Sequence, residues 1–157
     1  MKNTALLFTF LLLIFNSAFA QNTFTHQDTL RGAITKERAW WDITYYHLSV
    51  DVNTRKKTIT GSNLIQYKVL TPHQTLQVEL QEPLKIFKVI QNEKELSVRK
   101  DGYSYFIELQ DSQTVESINE LTIYYKGEPQ ESENPPWNGG LTWKKDRNEM
   151  FALNQIW

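Results

Sequence analysis

The sequence predicts an all-β fold, an antiparallel β-sandwich of about seven or more strands. Three observations carry this. Ala39–Leu70 reads as two long alternating strands around a polar turn. A series of shorter alternating runs follows at regular spacing, as far as Tyr125. Beyond the N-terminal twenty residues no long stretch has helical periodicity. Short strands at even spacing bury their apolar faces by stacking two sheets.

In Ile43–Val52 the apolar residues Tyr46, Leu48, Val50 and Val52 fall on one parity and Thr44 joins them, while His47, Ser49 and Asp51 take the other, with Ile43 and Tyr45 at the strand's start. Side chains alternate across a strand, so the first set is expected in the core and the second in water. Asn53–Lys57 has no apolar side chain and is read as a turn. Thr58–Leu70 places Ile59, Gly61, Asn63, Ile65, Tyr67 and Val69 on one parity. Its β-branched and aromatic content suits a pleated surface.

Later runs are justified one by one. Thr75–Leu80 alternates, with Leu76, Val78 and Leu80 on one face, and Pro83 ends it because proline donates no ladder bond. Leu84–Ile90 is a strand, Gln91–Glu95 a polar turn, and Leu96–Lys100 a strand. Asp101-Gly102 is a hairpin signal. Tyr103–Leu109 answers it, Gln110–Glu116 is a loop, and Leu121–Tyr125 is the last clear strand. After Gly127 the chain turns acidic and proline-bearing, and Leu141–Trp143 and Met150–Leu153 are candidates for two further short strands.

Residues 1–20 read as a secretory signal peptide. Lys2 is a short basic region, Ala5–Phe15 an apolar run too short to span a bilayer comfortably, and Ala18-Phe19-Ala20 a small-x-small cleavage site. No cysteine is present to take a lipid or form a disulfide. Export to a bacterial periplasm or the exterior is therefore expected, with no membrane association after cleavage. Residues 21–38 are read as an exposed leader, with a helical turn capped by Thr35, and residues 39–157 as one β domain. Of Trp40 and Trp41, one is expected under the hairpin and the other over an edge. The crowd of Phe151, Leu153, Ile156 and Trp157 is read as the seam to a following domain.

Charge excludes some classes. The 17 basic and 18 acidic residues leave no strongly basic face for nucleic acid. The only histidines, His26, His47 and His73, match no metal motif, and no phosphate loop or Gly-x-Ser-x-Gly elbow occurs. Glu128, Glu131 and Glu133 are read as a solvated loop. The residues taken alone reach an exported β domain without a visible active site.

Tyr46, Leu48, Val50 and Val52, followed by Thr58, Ile59 and Gly61, resemble the Tyr-x-Leu-x-Val-x-Val and Thr-Ile-x-Gly strands that open the gluzincin zinc aminopeptidases, the aminopeptidase-N and leukotriene-hydrolase type. Leu121–Gly127 with Gly127-Glu128-Pro129 is similar to that family's strand before a Gly-x-Pro loop, and Trp137–Trp143 to what comes next. The resemblance implies a saddle-shaped, non-catalytic N-terminal β domain of a metallopeptidase. It implies no cofactor in this chain and zinc in the parent family, where a zinc-bound water attacks the first peptide bond. The catalytic domain, with its Gly-x-Met-Glu-Asn segment and His-Glu-x-x-His helix, is absent from the sequence. By the same resemblance Gln155 is the residue lent to the substrate's amino terminus, although Ile156 and Trp157 depart from the small residues expected next. The implied partners are a peptide substrate and a catalytic domain, missing or separately encoded. The alternative is a stand-alone secreted module for peptide or carbohydrate, stacking its ligand on Trp40, Trp41, Trp137 or Trp143.

Overall fold

The computed structural model describes residues 24–134, 137–145 and, as backbone only, 151–156. The signal-peptide reading and the side chains of Phe151–Trp157 lie outside the described residues. Two short helices come first, α1 (His26–Gly32) and α2 (Lys36–Ala39). The strands that follow are β1 (Trp41–Asn53), β2 (Thr58–Val69), β3 (Thr75–Glu79), β4 (Lys85–Gln91), β5 (Lys94–Glu95), β6 (Ser97–Asp101), β7 (Ser104–Glu108), β8 (Ile118–Gly127), β9 (Gly140–Lys145) and β10 (Phe151–Ile156).

The strands form a five-stranded sheet in the order β1-β2-β8-β4-β5, a three-stranded sheet in the order β3-β7-β6, and the hairpin β9–β10. Every strand pair is antiparallel. The all-β sandwich predicted from the alternation is the fold observed. Asp101-Gly102 does make the β6–β7 turn, with Gly102 at φ 59°.

Between the two sheets lies the core: Ile65, Tyr67 and Val69 of β2, Leu121 and Ile123 of β8 and Val89 of β4 meet Leu76 and Ile107 of the small sheet. Trp40 is 1% exposed, donates from Nε1 to the Thr75 carbonyl at 2.8 Å, and sets its ring edge-on to Tyr67. Trp41 is half-buried, donates to the Glu37 carbonyl, and meets Tyr67 edge-on as well. Tyr67 is the hub of a buried polar chain: its hydroxyl donates to Gln113 Oε1 and accepts from Gln91 Nε2, both at 2.9 Å. Burial is the larger influence on this phenol and pushes its pKa up, with the Gln91 hydrogen bond opposing.

The segment expected to be a leader carries both helices. Thr25 caps α1 in a reciprocal box with Asp28, and Leu30 is buried. Thr35 stands at the N-cap of α2 without making a cap bond, contrary to its expected role. Its hydroxyl donates to Gln77 Oε1 at 2.7 Å instead. Gln77 Nε2 donates to the Leu30 carbonyl and to Ser104 Oγ. The helices thus cover the far side of β3 and β7, so Gln77, Ser104 and Phe106 are buried there as Leu76 and Ile107 are on the near side.

Candidate functional site: an apolar face left open

Register dictates what the large sheet presents on each side. On β1, Trp41 pairs with Val69 and Ile43 with Tyr67, but Tyr46 pairs with Ile65. The extra residue is Thr44, a bulge whose hydroxyl donates to the Gln66 carbonyl at 3.2 Å. The bulge switches parity, so Ile43 joins Tyr46, Leu48, Val50 and Val52 on the inner face. Sequence reasoning placed Thr44 with that set and Ile43 on the other; one unpaired residue reverses both.

The parity of Tyr46–Val52 was read correctly, but its burial was not. Leu48 is 63% and Val50 47% exposed. The cause is length. Strands of five residues reach about 17 Å, whereas the 13-residue β1 and 12-residue β2 run for about 40 Å at ~3.3 Å per residue. The small sheet therefore caps only one end of the large one. At the other end the described residues leave the inner face as a groove of about 780 Å³. Its floor is Leu48, Val50, Ile59, Ile86 and Tyr125, the β3 side contributes Val78 and Leu80, and Pro129 and Leu141 line it as well. Arg38 and Glu79, 3.3 Å apart, mark the polar rim.

Within the groove, Asn63 pairs with Leu48 on one side and Ile123 on the other, and its buried Oδ1 has no hydrogen-bond partner among the described residues. An acceptor held among apolar groups without a donor costs stability. Partial burial also raises the pKa of both Tyr46 and Tyr125. The groove is therefore a mainly apolar surface, with Arg38, Asp42 and Glu79 among the residues that line it.

Candidates named from sequence are scattered. His26 Nε2 lies 2.9 Å from Asp101 Oδ2, His47 stands on the outer face of β1, and His73 Nδ1 accepts from the Thr75 N–H. Among the described residues no group of three or more His, Cys, Asp or Glu could hold a metal. Gln155 lies on β10 opposite Leu141, whose side chain lines the groove's end; the side chain of Gln155 is outside the described residues. Of the four tryptophans named for ligand stacking, Trp40 is buried, Trp41 and Trp143 are half-buried and Trp137 is exposed. Glu128, Glu131 and Glu133 are all exposed, and Glu131 also holds Lys57 at 2.7 Å on the surface and bridges to Leu141. No described helix is long and apolar enough to cross a membrane. Sequence reasoning missed the open groove, and the unequal strand lengths were the available signal.

No family model and no curated protein matches the chain. Its fold is similar to that of solved M1 zinc metallopeptidases. The M1 zinc metallopeptidase from Deinococcus radiodurans superposes with a TM-score of 0.56 at 14% identity, covering 67% of this chain and 24% of that one. A mutant of that organism's enzyme bound to a Tyr-Ser-Ala substrate gives 0.53 at 14% identity, covering 63% and 23%. A mutant two-domain M1 zinc metallopeptidase bound to L-arginine gives 0.54 at 15%, covering 70% and 27%. The chain thus spans about a quarter of the length of the metallopeptidases whose fold it shares.

Proposed function

We propose that this chain is the non-catalytic N-terminal β domain of an exported, M1-type zinc aminopeptidase system, and that it shapes the substrate entrance of a catalytic domain docked against it. The open groove is the observation that carries this reading. A face that leaves Leu48 and Val50 in water is what the uncovered half of an interface presents. The fold likeness to metallopeptidases of which the matched part is only about a quarter supplies the kind of partner. Zinc would belong to that partner, and this chain's share would be surface and positioning, with Gln155 as the residue nearest the substrate's amino terminus.

Antibody raised against residues 24–145 tests the reading in cells that make the protein. The expected capture, from the exported fraction, is a zinc-dependent aminopeptidase activity, on the same polypeptide or on a second chain. Capture of the intact chain with neither zinc nor aminopeptidase activity overturns the proposal.

A further inference from the structure

The outer face of the large sheet holds a cluster that the groove does not use. Register sets two rows across four strands. Ser49, Ser62, Tyr124 and Lys88 form one, and Asp51, Thr60, Lys126 and Lys85 the next. A second bulge, between Ile86 and Lys88, leaves Phe87 outside the ladder, with its ring 48% exposed. That ring lies 6.3 Å from the ring of Tyr124. Lys126 Nζ sits 4.9 Å from the Phe87 ring centre, and Lys88 Nζ 5.6 Å from that of Tyr124. Beside the rings is a hollow of about 340 Å³, walled by Ser49, Asp51, Thr60, Ser62, Phe87 and Tyr124.

Two features of this cluster work against stability. Lys85 and Lys126 are directly opposed on neighbouring strands, where like charges repel. Among the described residues, none of Lys85, Lys88 and Lys126 makes a salt bridge. Glu82, the carboxylate that Lys85 influences, is already bonded to Lys100. Phe87 also gives up burial by standing in water.

We propose that this face binds an anionic saccharide. A sugar ring offers apolar C–H groups for Phe87 and Tyr124, and its hydroxyls suit Ser49, Thr60, Ser62 and the Asp51 carboxylate. Its carboxylate or sulfate would neutralise the opposed lysines. An acidic peptide would use the lysines and leave the rings and hydroxyls idle. A nucleic acid wants a strongly basic face, and this chain has 17 basic against 18 acidic residues.

Titration calorimetry on the full chain tests this with oligogalacturonate, a sulfated oligosaccharide of equal length, fully methyl-esterified oligogalacturonate and polyglutamate. Expected is saturable binding of the uronate or the sulfated probe, the better of the two identifying the anionic group. Phe87→Ala, Phe87→Leu and the pair Lys85→Gln with Lys126→Gln should each weaken it by about tenfold or more. Lys36→Gln, on α2, should not. Phe87→Leu keeps the apolar bulk, so the ring is tested even if Phe87→Ala fails to fold. The proposal is overturned if neither anionic saccharide binds below about 1 mM. Equal affinity for the esterified probe, or polyglutamate binding as tightly with no response to Phe87→Leu, overturns it as well.

Discussion

Gly61 lies directly against Tyr125. A Cβ at Gly61 would come within 2.7 Å of Tyr125 Oη and press on the backbone carbonyl of Ser49. The two residues are paired across β2 and β8, and the close approach lets the Tyr125 ring lie over the sheet at the floor of the groove. This gives the glycine of the Thr-Ile-x-Gly strand a steric reason. Gly61→Ala should destabilise the domain by about 1–3 kcal/mol, since the carbonyl cannot move aside as a flexible side chain could. Urea melts check this, and a midpoint equal to that of the unaltered chain would show that the sheet absorbs the methyl.

Ile65 and Val50 share one face of the large sheet but differ in cover. Ile65 is 2% exposed beneath the small sheet, whereas Val50 is 47% exposed in the groove. Ile65→Asp should cost at least about 3 kcal/mol, because it buries an unpaired charge. Val50→Asp should cost far less, since its carboxylate keeps water. Sequence alternation alone expects both to be severe. Equal sensitivity in denaturant melts would mean that the groove is closed in solution.

The comparison shows what alternation encodes. Parity along β2, β3 and β8 was legible because each apolar side chain there has a neighbour on the same face, and Leu76, Ile65 and Leu121 are buried as read. Cover was not legible, because Leu48 and Val50 carry the same pattern as buried residues whether or not another layer lies over them. Thr44 was misplaced because a bulge adds a residue without changing composition. Gln77 was missed because a polar residue on the off parity normally faces water, and only the packing of α1 and α2 against β3 turns that side into interior. The saccharide face was illegible for a related reason: Lys85 and Lys126 are 41 residues apart and meet only through β4–β8 register.

Acid should loosen α1. His26 Nε2 and Gln27 Nε2 both lie 2.9 Å from the Asp101 carboxylate, tying the helix to the β6–β7 turn. The His26 hydrogen bond is the chief reason that the Asp101 carboxyl titrates below its usual range, with Gln27 adding to it against partial desolvation. A carboxylate whose folded pKa is depressed stabilises the fold above its unfolded value, about 3.9, and loses that contribution as pH falls through the folded value. Asp101→Asn should therefore lower the urea midpoint at pH 7 and make no difference well below pH ~3. A gap between the two proteins that persists unchanged in acid would rule out the carboxylate as the tie.

The open face should also show itself as adhesion. Tyr46, Leu48, Val50 and Val52 stand partly in water along β1, which is an edge strand with no lysine or proline between Trp41 and Asn53. Edges of this kind pair with other chains unless charge is placed on them. The full chain should bind a hydrophobic dye and sediment as more than a monomer at raised concentration. Leu48→Lys with Val50→Lys should suppress both without lowering the melting temperature by more than a few degrees, because both positions are already hydrated. The apolar residues Ile156 and Trp157 are a competing source of adhesion, and Ile156→Ser with Trp157→Ser isolates it. If the serine pair abolishes dye binding and the lysine pair leaves it intact, the groove is not the adhesive surface. The docking face of the proposed catalytic partner would then have to be sought on the β9–β10 hairpin.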